Sequence, residues 1–135
     1  MSRQLFSTIL KEIGEAPDED KVLILQMNNS LMLRQLIIAA LDPTVKFDVP
    51  VPPYRVNTEV DGYAANNLYV ESRRMYVFMN GYNIPMKRKT DLLAQILESI
   101  DPSDAVALTE VINRDLGKYG ITKEIVNAAF PGLIK

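Results

Sequence analysis

The residues best suited to chemistry in this sequence are cationic and hydroxylic. Gly120-Ile121-Thr122-Lys123 reads as a turn that opens a helix. The first turn of a helix leaves backbone N–H groups unpaired and carries the positive end of the dipole, so such a turn can hold a phosphate. Thr122 would add a hydroxyl and Lys123 a charge, although the same threonine serves equally well as an ordinary N-cap. A second group, Lys87-Arg88-Lys89, stands at the entry to another predicted helix, where positive charge opposes the dipole. The run reads as a solvated loop or as a phosphate contact. Arg73 and Arg74 form a third pair. Adjacent residues on a helix diverge by roughly 100°, so one of the two at most faces a given duplex.

Other chemistries lack their residues. The 135 residues include no histidine and no cysteine, which removes the commonest general base and metal ligand and any thiolate or disulfide. The carboxylates of Asp18, Glu19, Asp20, Asp101 and Asp104 fall at predicted helix starts, where they act as caps. They show neither metal-ligand spacing nor paired acid/base geometry. No catalytic residue, metal, cofactor or small-molecule substrate is expected. The net charge of −2 counts against a dedicated nucleic-acid binder unless the bases cluster.

The elements that must position these residues follow from periodicity. With 47% apolar and 24% charged residues the chain has a soluble globular profile. No apolar run approaches the ~20 residues that cross a bilayer, and charges interrupt the N-terminal segment, unlike a secretory signal. A cytoplasmic protein without membrane contact is expected. Ser2 to Ile13 places Leu5, Phe6, Ile9, Leu10 and Ile13 on one helical face. Helices are predicted over Lys21–Met27 and Leu31–Leu41, the latter apolar on most sides and so central. Residues 42–64 hold four prolines and no helical period, and read as a long loop anchored by Phe47, Val49, Val51 and Tyr54. Residues 65–79 suit a strand or a helix. The helix, with Leu68, Tyr69, Ser72, Met75, Tyr76 and Met79 on one stripe, is preferred. Further helices are predicted over Asp91–Ile100, over Ala105–Leu116 and after Thr122. The sum is an all-α single domain over residues 1–135, with about six to seven helices and one long Pro/Tyr-rich loop.

The C-terminal third carries a family pattern. Asn113-Arg114-Asp115-Leu116, Gly120-Ile121-Thr122, Asn127 and Phe130-Pro131-Gly132-Leu133-Ile134 resemble the N-terminal DNA-binding domain of bacteriophage ATP-dependent DNA ligases. The stretch from Leu31 to Val49 is similar to that family's third helix and the loop after it. The resemblance implies a domain that grips duplex DNA across the minor groove around a nick. It also implies a following nucleotidyltransferase domain, of which this chain shows no motif. The family charges the lysine of a Lys-x-Asp-Gly motif with AMP, and the one Asp-Gly here, Asp61-Gly62, has Glu59 at the lysine position. Glutamate cannot form the phosphoramidate, so neither adenylation nor ligation is expected.

Two functions remain open on the residues. In the first, a non-catalytic DNA-binding module contacts duplex or nicked DNA through Thr122, Lys123, Lys118, Arg114, Gly120, Arg73 and the run Lys87, Arg88 and Lys89, in replication or repair, with a replication or repair protein as a further partner. Arg114 has a structural alternative, an ion pair with Glu110 one turn earlier, and Asn127 is read as bonding the exit backbone. In the second, the fold is a protein-interaction module. DNA binding has faded and the tyrosines at 54, 63, 69, 76 and 82, with the prolines, meet a viral or host protein.

Overall fold

The computed structural model describes residues 4–60 and 63–135. Ser2 and Arg3, at the start of the first predicted helix, and Asp61-Gly62 lie outside the described residues. Among the described residues, seven α-helices and two 3-10 segments account for the regular structure: α1 (Phe6–Glu15), α2 (Asp18–Met27), α3 (Leu31–Leu41), α4 (Leu68–Glu71), η1 (Ser72–Phe78), α5 (Met86–Ser99), α6 (Pro102–Ile112), η2 (Leu116–Tyr119) and α7 (Lys123–Ala129). Among the described residues no strand forms. A lone antiparallel bridge joins Phe47 to Met79. The fold is all-α, as expected.

Most of the helix ends have a local reason. α1 buries Phe6, Ile9, Leu10 and Ile13, the spacing of one helical face. Its N-terminus is capped from a distance, because Asp104 at the start of α6 accepts the Ser7 N–H at 2.9 Å. Pro17 ends the turn after α1, and Asp18, Glu19 and Asp20 then fill the first turn of α2, where the dipole favours acids. That helix therefore opens one turn ahead of the predicted Lys21. Ser30 caps α3 by accepting from the Leu33 N–H, and α3 buries Met32, Leu33, Leu36, Ile37, Ala39 and Ala40. It lies against α6 and η1 at the centre of the domain.

The long loop is ordered against this core. Phe47 and Val49 are buried, and Phe47 stacks on Phe78 with ring centroids 6.2 Å apart. Asp48 N–H donates to Phe78 O and Asn80 N–H to Lys46 O, which ties the loop to the end of η1. α5 begins at Met86, immediately after Pro85, rather than at Asp91. Proline sets the extended N-cap and cannot continue a helix backward. α6 stops at Ile112, four residues before the predicted Leu116, because the backbone turns left-handed at Arg114 (φ 57°).

Candidate functional site

The nucleic-acid candidates come first. Thr122 caps α7 by accepting the Ile125 N–H at 3.2 Å, so its hydroxyl is engaged. Gly120 sits at φ +72°, and a Cβ there would lie 2.8 Å from Cε of Lys21. The glycine serves the chain reversal and the close approach of that lysine. The Arg114 guanidinium donates to the carbonyls of Ala39 (3.2 Å) and Asp42 (3.0 Å) and so closes the end of α3. The predicted alternative partner, Glu110, instead accepts from Lys118 at 2.5 Å and from the Tyr119 hydroxyl at 2.5 Å. Lys118 also stands 3.8 Å from Asp115. The hydrogen bond and charge of Glu110 raise the Lys118 pKa above the ordinary lysine value. Burial pushes the Tyr119 hydroxyl up, and Glu110 adds to it.

The predicted basic run is divided. Lys89 is 2% exposed and pairs with Asp48 at 2.8 Å, whereas Lys87 and Arg88 are exposed in the first turn of α5. Lys123 and Arg73 are exposed too. These four lack a hydrogen-bonding or ionic partner among the described residues. Asn127 bonds the exit backbone in both directions, donating to Ile134 O at 3.0 Å and accepting its N–H at 2.9 Å, as read from the sequence.

The start of α7 lies at the same end of the bundle as the acidic first turn of α2. Lys21 of α2 meets Gly120 just before α7, and Gln26 donates to Ala129 O at the far end of α7. The two helices therefore run the same way, with their starts side by side. Asp18, Glu19 and Asp20 lie at the end of the bundle that holds Thr122 and Lys123. A hollow lined by Glu12, Glu15, Pro17, Asp20 and Leu23 adds acids between α1 and α2.

A different surface emerges around η1. A 3-10 helix turns once in about three residues, so its side chains fall into three straight rows. Ser72, Met75 and Phe78 form the inward row and are each 2% exposed. Glu71, Arg74 and Val77 form a second row. With Phe78 and with Leu92 and Ile96 of α5 they line a groove of about 310 Å³. Arg73, Tyr76 and Met79 form the third row and, with Ile38 and Val45, line a hollow of about 170 Å³ on the other side. The stripe predicted at α-helical spacing mixed these rows. It combined inward Ser72 and Met75 with outward Tyr76 and missed Phe78, because the sequence offers apolar residues at both periods.

The two flanks differ in chemistry. In the α5 groove Glu71 is buried and accepts from one nitrogen of Arg74 at 2.6 and 2.8 Å. Asn66 donates to Glu71 and to Ser99, each at 3.0 Å, closing the polar end. Arg74 is 67% exposed, so the rest of its guanidinium faces solvent. On the other flank Tyr76 meets Tyr82 edge to face, with centroids 5.3 Å apart. Both rings and Met86 are exposed. Exposed tyrosine together with arginine is a composition enriched at protein contact surfaces. The sequence signal that marked this region was the cluster of tyrosines. Among the described residues no group of acidic, histidine or cysteine side chains could hold a metal ion. No helix there is long and apolar enough to cross a membrane.

A family model described as "Family of unknown function (DUF6433)" matches residues 9–118. No curated protein matches the chain.

Proposed function

Taking as premise that the chain belongs to DUF6433, a family of unknown function, we propose that it is a non-catalytic protein-interaction module. The contact surface is the outer row of η1, with Arg73 and with Tyr76 against Tyr82, and the partner is a viral or host protein. The observation that carries this reading is the exposed Tyr76–Tyr82 pair beside an open hollow. Two aromatic rings there hold apolar area ready for burial, with hydroxyls free to hydrogen-bond across an interface. Support also comes from the cations that a DNA contact would need. Arg114, Lys118 and Lys89 are spent on partners inside the fold, and the start of α7 shares its end of the bundle with acids.

A second reading, the duplex- or nicked-DNA module, is favoured by Lys87, Arg88, Arg73 and Lys123, which are exposed without a partner among the described residues. It also draws on the resemblance of the C-terminal third to phage ligase DNA-binding domains. One pair of measurements separates the readings. Fluorescence anisotropy with nicked and intact duplex at two salt concentrations should show no salt-steep binding on the first reading and a steep salt dependence on the second. Affinity capture from infected or host cells should recover a protein with wild-type chain and lose it with Tyr76→Ala/Tyr82→Ala. Strong, salt-sensitive DNA binding that survives the tyrosine change would overturn the first reading.

A further inference from the structure

α2 is unusual for a surface helix because its outer face carries exposed apolar side chains. Its inner face buries Lys21 and Leu25. Its outer face runs Glu19, Leu23, Met27 at i, i+4, i+8, and all three are exposed, Leu23 at 53% and Met27 at 75%. Leu31, at the start of α3, extends the apolar surface at 46% exposure. Exposed aliphatic side chains grouped in this way on one helix face, Leu23 with Met27, mark contact surfaces. This one carries acids at one end, Glu19 and Asp20, and no base among its exposed residues.

The α5 groove has the opposite character. Its floor is Val77, Phe78, Leu92 and Ile96. Arg74 stands on one wall, with most of its guanidinium in solvent. On the other wall the α5 residues Leu92, Gln95, Ile96 and Ser99 share one helical face, and exposed Arg88 lies on that same face one turn before Leu92. The one carboxylate lining the groove, Glu71, is buried and already paired with Arg74 and Asn66. From Arg88 to Ser99 the face runs ~16 Å, and from Glu19 to Met27 the α2 face runs ~12 Å, at ~1.5 Å per helical residue. An aliphatic, acid-tipped helix face and an apolar groove with two arginines therefore occur on one chain, and the shorter helix face fits within the length of the groove wall.

We propose that the groove between η1 and α5 receives the Glu19–Leu23–Met27 face of α2 from a second copy of this chain. Leu23 and Met27 cover the apolar floor, and Glu19 and Asp20 meet Arg88 at the end of the groove away from Ser99. The contact is head-to-tail, since the two surfaces differ, so it closes into a ring or extends as a chain of subunits. It uses neither Tyr76 nor Tyr82 and leaves that surface repeated along the assembly. The inference goes beyond the partner-binding reading above and stands without it.

The test is sedimentation equilibrium of the full chain over a range of concentrations at low and high salt. The weight-average mass should rise above the monomer's 15.2 kDa with concentration, and less so at high salt. Arg88→Glu or Glu19→Arg alone should weaken self-association by about tenfold or more. An equimolar mixture of the two variants should associate again, because each supplies the surface the other has lost. Leu23→Glu should abolish association with or without mixing. All three positions are exposed, and circular dichroism confirms that each variant folds. A mass fixed at the monomer value at every concentration overturns the proposal. So does association that the charge variants leave unchanged, or a mixture that stays monomeric. Tyr76→Ala/Tyr82→Ala should leave self-association as it is, which keeps this result separate from that of the partner-capture experiment.

Discussion

Lys21 fills the space above Gly120. Its Nζ donates to Ile13 O at 2.8 Å and to Ala16 O at 2.5 Å, closing the end of α1, while its Cε lies 2.8 Å from where a Cβ on residue 120 would be. A flexible lysine would ordinarily swing aside for a methyl group. This one is 5% exposed and held at its tip by two carbonyls, so moving it uncaps α1.

Gly120→Ala is therefore expected to cost about 1–3 kcal/mol, from the left-handed backbone and the displaced lysine together. Urea denaturation of the variant measures it. The same change in a Lys21→Met background should cost less, because the cap is then already lost. Equal costs in the two backgrounds would show that the lysine contact plays no part.

Arg114 tells a similar story at the other end of α3. Its two guanidinium nitrogens reach two carbonyls, which a lysine ammonium cannot span in the same geometry. Arg114→Lys should lose about 1–2 kcal/mol, the scale of a charge-assisted hydrogen bond. Duplex-DNA affinity measured in parallel should not change. A variant of unaltered stability but weaker DNA binding would reverse the assignment.

These residues show where the sequence was legible. Periodicity located α1 and α3, because Phe6, Ile9, Leu10 and Ile13 meet the core at a spacing that only a helix produces. The Asn127 clasp was legible because its partner is seven residues away. The roles of Arg114, Lys89 and Asp104 were not. Their partners lie 75, 41 and 97 residues distant along the chain, and no local pattern encodes such pairings. η1 was misread for a different reason. Periods of 3.0 and 3.6 diverge by only about half a residue per turn, so seven residues hardly distinguish them. The difference still decides whether Tyr76 points inward with Met75 or outward with Arg73.

Asp104 gives a pH dependence with a definite sign. Burial raises its pKa above the ordinary aspartate value, although the Ser7 N–H opposes the shift. A carboxyl whose folded pKa exceeds its unfolded one favours folding when protonated, so stability falls as pH rises from the unfolded pKa through the folded one. Asp104→Asn keeps an acceptor for Ser7 and removes that titration. The variant should gain on wild type as pH climbs from the acid range to neutrality, and the advantage should vanish below the ordinary aspartate pKa. Thermal melts at stepped pH read this directly. A gap that stays constant with pH would mean Asp104 does not titrate differently on folding.

The Lys89–Asp48 pair pins the proline loop to the first turn of α5. Lys89 is nearly fully buried, and Asp48 has a second buried oxygen without a hydrogen-bond partner among the described residues. A buried ammonium that loses its counter-ion is costly, whereas replacing both ions by apolar groups of similar size often costs nothing. Asp48→Leu alone should destabilise the fold by on the order of 3 kcal/mol. Asp48→Leu/Lys89→Met should recover to within about 1 kcal/mol of wild type or exceed it. Chemical denaturation of the three variants completes the double-mutant cycle. The pair also ties the loop to the end of η1, where Asp48 N–H donates to Phe78 O. Hydrogen exchange at residues 44–48 and 78–80 should therefore speed up in Asp48→Leu. Slow exchange there despite lost stability would place the damage elsewhere and show that the loop is held without the ion pair.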